Sequence, residues 1–211
     1  MKKAIALVLS LVMVLALAAC GGNNASTTEQ TEAPAPAQEQ TTAAVETAEA
    51  AAPEGGFEEI EIWADEEVGF LNVNGVYFQP VPMSGGFENY EDFNLHFEAD
   101  VSALENNLGY GVGDWVPYMT VDYELTGKNS GTVVSGTFMP MNADDGNHYG
   151  ANLKMDVADT YSVKLTFHSP AENGFLIHLD DETGPGGKLD DYQWPLVLEL
   201  PDVWDYAPTE W

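Results

Sequence analysis

From Phe57 onward the chain alternates. "FNLHFEADV" places Phe93, Leu95, Phe97, Ala99 and Val101 on one side and Asn94, His96, Glu98 and Asp100 on the other, the two-residue period of a strand with one buried face. "YSVKLTFH" repeats the pattern, with Tyr161, Val163, Leu165 and Phe167 opposite Ser162, Lys164, Thr166 and His168. Further strands are expected at "EEIEIW", "VYFQPV", "WVPYMTVDYEL", "GTVVSGTFMPM" and "GFLIHL", separated by "NVNG", "TGKNSG" and "GPGG". No helical period runs through this region. The pattern predicts an all-β domain over residues 57–211 built as an antiparallel β-sandwich.

The residues before it follow other rules. "MKKAIALVLSLVMVLALAAC" pairs two lysines with an apolar run ending in small residues, a secretory signal over residues 1–20 that is too short and wrongly flanked to be a spanning helix. Its "LAAC" ending resembles a bacterial lipobox, which makes Cys20 the expected lipidation site. Cys20 is the sole cysteine, so no intrachain disulfide can form. Residues 21–56 consist almost wholly of Ala, Thr, Glu, Gln, Pro, Asn and Gly. Such a segment buries too little apolar surface to offset the entropy of ordering it. It reads as a disordered acidic tether with a reach of roughly 30–35 Å. The expected location is extracytoplasmic, with the membrane touched only through the lipid anchor.

Charge narrows the partners. Lys2 and Lys3 leave with the signal, so four lysines and no arginine face 35 acidic residues. A basic footprint for nucleic acid or anionic lipid is missing. The acidity instead draws cations toward the surface, or serves solubility.

Several residues could carry chemistry. His96 and Glu98, two apart on a strand, project to one face; a solvated sheet face displays the same pair. Met139 and Met141 flank Pro140, which confines that segment to an edge strand or a bulge. The following "NADDGN" offers an Asp-Gly turn that folds His148 back toward Met141. A thioether beside an imidazole is a half-site for a transition metal, although methionine also fills gaps in cores. His178 is expected on a strand with Asp180 or Asp181 orienting its ring, or as plain polar surface. His168 has no companion donor. A blue-copper site is excluded because it needs a cysteine thiolate, and neither a phosphate loop nor a nucleophile elbow is present. The abundant carboxylates mark no glycosidase pair.

"HFEADVSALENNLGYGVGDWVPYMTVDYEL", "GTFMPMNADDGNHYGANLKM" and "FLIHLD" together resemble the periplasmic iron-transport protein family, over about Gly75 to Asp181. The resemblance implies an immunoglobulin-like, cupredoxin-like sandwich that forms homodimers, binds copper or zinc, and serves iron uptake beside a membrane iron permease. Carried over position by position, it implies a metal site of His96, Glu98, Met141, His148 and His178, and it leaves out His168. The expected protein is therefore a lipid-anchored binder that captures iron, can hold copper, and delivers its cargo to a transporter; it is not expected to be an enzyme. The rival expectation is a metal-independent surface adhesion module on a stalk. A zinc hydrolase with Glu98 as base ranks last, because methionine is a poor zinc ligand.

Overall fold

The computed structural model describes residues 58–211. The signal, Cys20 and the tether lie outside them. Eight antiparallel strands appear in chain order: β1 (Ile60–Val68), β2 (Leu71–Phe78), β3 (Leu95–Ala103), β4 (Val121–Gly127), β5 (Val133–Asn142), β6 (Asn147–Leu153), β7 (Asp159–Phe167) and β8 (Leu196–Tyr206). Hydrogen bonding follows the order β1-β2-β3-β6-β5-β4-β7-β8, and the end strands β1 and β8 pack against each other. The result is a nearly closed β-sandwich. Helix is confined to three short 3-10 turns among the described residues.

β5 joins the two layers. Its first half, Val133 to Phe138, pairs with β4, and its second half, Met139 to Asn142, pairs with β6. The strand thus changes sheets just before Pro140, whose missing N–H makes continued pairing on both sides costly. This switch places Met139 and Met141 in the sheet that carries β3.

The core lies between the layers. Phe97 of β3 meets Trp63 edge-on at 5.9 Å, Phe138 at 5.0 Å and Trp204 at 5.3 Å. Leu95, Phe97 and Ala99 of β3 are fully buried, as are Leu125, Tyr161, Leu165 and Phe167 across the interface. Apolar burial of this extent is the main driving force holding the layers together.

Three expectations need correction, and two strands lie where none is expected. "NVNG" is no turn: it lies inside β2, paired with both β1 and β3. Its asparagines serve a bulge in β1, where the Asp65 N–H donates to Asn74 Oδ1 at 2.7 Å and Asn72 donates to Asp65 at 3.2 Å. Gly75 is glycine because Trp63 crosses it; a Cβ there would meet the indole at 2.3 Å. The strand expected from Trp115 starts only at Val121, since Pro117 lacks a donor and Tyr118 adopts a left-handed φ of 66°. "GFLIHL" forms no strand, and residues 175–179 run as irregular chain. Finally, β6 and β8 carry no strand expectation. β8 alternates Leu196, Leu198 and Leu200 inward, but Pro201 interrupts it, and the bulge at Pro201–Val203 resumes the pairing at Trp204.

Gly75→Ala should destabilise the domain by about 1–3 kcal/mol through overpacking against Trp63. Urea denaturation checks this, and an unchanged midpoint contradicts the close approach.

Candidate metal centre

The face of β3 turned away from the core carries His96 and Glu98. In register they stand opposite Asn152 and Gly150 of β6, and Gly150 in turn faces Met139 of β5 while His148 faces Met141. Three adjacent strands therefore present one face composed of His96, Glu98, His148, Gly150, Asn152, Met139 and Met141. The Asp-Gly turn that closes the β5–β6 hairpin, with Ala143 N–H bonded to Gly146 O at 2.8 Å, sets His148 against Met141.

This polar face is not solvated. His96 is 0% exposed, Glu98 4% and His148 2%. The chain between β2 and β3 folds over them, and Val81, Met83, Phe87 and Glu88 join Phe78, Met139 and Met141 in lining a cavity of about 590 Å³ at whose wall the three polar side chains sit. The His96 ring packs on Phe78 at 5.1 Å.

Glu98 Oε1 lies 2.9 Å from His148 Nε2 and 3.2 Å from His96 Nε2. The His96 approach lacks hydrogen-bond alignment, which leaves that ring nitrogen buried without a partner. Donor atoms of His96, Glu98 and His148 fall within 4.8 Å of one another, the one such grouping among the described residues. Gly150 makes the space: a Cβ there would come 2.9 Å from His96 Nε2 and 3.1 Å from Phe97 O.

The electrostatics suit a cation. Burial pushes the Glu98 carboxyl up, but the His148 hydrogen bond and the two imidazole rings in their charged form outweigh it and hold the group down at about 2. His148 feels burial pulling it down, and the Glu98 bond together with the Asp100 and Asp145 charges moves it above its usual value. Asp100 is pushed up to about 6, chiefly by burial and then by Glu98. Burial, Asp145 and Glu98 also raise Glu59. Carboxylates crowded this closely resist ionising together, and a bound cation relieves that repulsion.

The remaining histidines lie apart from this cluster. His178, expected on a strand, sits on the irregular segment with its side chain 74% exposed. Its Nδ1 is 2.8 Å from Thr183 Oγ1, and Thr183 donates to Asp180 Oδ2 at 2.6 Å. Asp180 thus acts on the ring through Thr183; its own carboxylate is 4.0 Å away. His168 bonds Asp122 at 3.0 Å on the other sheet. Sequence reasoning missed Gly150, Asn152 and the cover from Val81 to Glu88. The first two share His148's parity in "HYGAN", which would have exposed them had the segment been read as a strand.

Known proteins resemble this chain. The model of the family described as Fe2+ transport protein matches residues 56–207. The chain belongs to the Fe2+ transport protein family. The 34 kDa membrane antigen of Treponema pallidum is 38% identical over the full length of both chains. A UPF0423 protein of Brucella abortus is 42% identical over 61% of this chain and 74% of its own. Among solved structures, copper-reconstituted P19 of Campylobacter jejuni superposes with a TM-score of 0.66 at 33% identity, covering 72% of this chain and 99% of that one. A copper-bound variant of FetP from uropathogenic Escherichia coli gives 0.65 at 32% identity, covering 73% and 96%. Among the described residues, the cluster on β3 and β6 brings together donor types that suit a transition metal.

Two outcomes follow from the geometry. Because Glu98 is held at about 2 instead of its usual 4.5, its contribution to stability is present above pH 4.5 and is lost as pH falls from there toward 2. Glu98→Gln in metal-free protein should flatten that part of the acid unfolding curve. Gly150→Ala should weaken zinc or copper binding in equilibrium titration by crowding His96 Nε2; unchanged binding contradicts the proposed position of the ion.

Proposed function

We propose that this protein is a lipid-anchored, extracytoplasmic carrier that captures iron at the His96, Glu98 and His148 cluster and passes it to a membrane iron transporter. The observation that carries this reading is the buried convergence of two imidazoles and a carboxylate within 4.8 Å, beside Met141 in the same cavity. Family membership supports iron as cargo. The "LAAC" motif at Cys20 supports the anchor, and the acidic composition supports cation collection.

Imidazoles and a carboxylate suit ferrous iron, whereas a thioether favours copper in its lower oxidation state. Copper outcompetes iron at most nitrogen and oxygen sites, so copper retained after purification agrees with iron as the physiological cargo. We assign the protein no catalytic step.

His178 enters this reading through a second copy of the chain. Thr183 gives its only proton to Asp180, so the neutral His178 ring donates from Nδ1 and leaves its Nε2 lone pair outward. An exposed, pre-oriented imidazole between the exposed Leu176 and Leu179 is suited to complete the metal shell of a homodimer partner.

The test is titration of copper and ferrous iron into the parent and into His96→Ala, Met141→Ala and His148→Ala. Loss of affinity of at least tenfold in the histidine variants, with a smaller loss for Met141→Ala, is expected. In the parent, chelation should lower the melting temperature, because a ligand bound by the native state alone stabilises it. A melting temperature indifferent to metal, with all variants binding like the parent, favours the metal-independent adhesion module instead.

A further inference from the structure

Behind His96 stands a residue with no place in the ligand set. Asn152 is 5% exposed, faces His96 across the β3–β6 ladder, and places Oδ1 2.9 Å from His96 Nδ1. Its amide nitrogen donates to Val81 O at 2.8 Å and to Glu88 Oε1 at 2.6 Å. Its oxygen accepts from the Val81 N–H at 3.1 Å.

These contacts fix which way the amide points. Both groups facing the nitrogen are acceptors, so an exchanged amide would set oxygen against oxygen twice and nitrogen against the Val81 N–H. Oδ1 therefore faces the imidazole. An amide oxygen only accepts, and so the proton of neutral His96 resides on Nδ1. The lone pair is then on Nε2, which is the ring nitrogen 3.2 Å from Glu98 Oε1 and without a hydrogen-bond partner.

We propose that Asn152 is a positioning residue: it locks His96 in the Nδ1–H tautomer and aims the Nε2 lone pair at the metal, while Val81 and Glu88 set the sense of the Asn152 amide. The role rests on the metal-capture reading and extends it to the cover over the cavity. A neutral imidazole lone pair directed at a carboxylate oxygen is unfavourable until a cation lies between them. Asn152 thereby prepares the site for a cation and against an empty, self-satisfied hydrogen bond. The same amide ties the cover, through Val81 and Glu88, to a metal-binding ring. Metal ligands held this way typically lose 10–100-fold in affinity when the outer partner is removed.

The test uses the full domain labelled with 15N-histidine and free of metal. Two-bond proton–nitrogen correlation spectra, recorded at a pH where the ring is neutral, report the His96 tautomer directly. The parent is expected to show Nδ1–H. Glu88→Gln keeps a side-chain acceptor for the Asn152 amide nitrogen and should show the same tautomer. Asn152→Leu should lose the bias, and its zinc affinity should fall by about 10–100-fold. Nε2–H in the parent overturns the proposal, as does a folded Asn152→Leu variant that binds zinc like the parent. If the leucine variant does not fold, the parent and Glu88→Gln spectra decide alone. Since the tautomer is read without metal, a parent that shows Nδ1–H yet binds no zinc, copper or iron contradicts the capture reading and leaves the tautomer assignment intact.

Discussion

Glu98 is a carboxylate taken out of water on the back of a core strand, and much of the domain is arranged around compensating it. Burying an unpaired charge costs several kcal/mol, yet this group is held well below its ordinary pKa. The compensation comes from β6, whose His148 and Gly150 fall opposite β3 because the Asp-Gly hairpin fixes the register. Phe97, one residue away, is locked among Trp63, Phe138 and Trp204, so β3 cannot slide to relieve the charge. A one-residue slip would turn His96 and Glu98 into the core. The hydrophobic core thus fixes where the polar donors point.

The same constraint explains the cover. An open sheet face would let water solvate Glu98 and screen it. Val81, Met83 and Glu88, partly buried themselves, lie over the site instead, and Asn152 secures the cover at Val81 and Glu88. Within the cavity the donors span hard and soft character, from carboxylate through imidazole to thioether. Outside it, Asp100, Asp145 and Glu59 supply negative potential. Such a site attracts cations broadly and discriminates by donor type and geometry.

Alternation alone located β3 and β7, because each has one face packed and one face polar. It also set His96 and Glu98 on a common face, while their burial was invisible: the cover comes from the irregular segment before Tyr90, which has no period to read. β6 escaped because "NHYGANL" is buried on both faces, so the polar/apolar contrast vanishes. β8 escaped because Pro201 breaks its pattern at a bulge. "GFLIHL" misled in the other direction. Its alternation reflects Phe175 and Ile177 packing against the core from an unpaired chain. The donors Met141 and His148 were legible through their turn, whereas His178 sits exposed on irregular chain that the same alternation presented as a strand.

In the proposed capture site the imidazoles of His96 and His148 and the Glu98 carboxylate, with the Met141 thioether beside them, hold one ion in one cavity. X-ray absorption at the copper edge of the loaded protein addresses this directly. Nitrogen scattering with imidazole features plus a sulfur shell is expected, with the sulfur shell lost in Met141→Ala and imidazole features reduced in His148→Ala. A spectrum of oxygen donors alone, unchanged by either substitution, would contradict it.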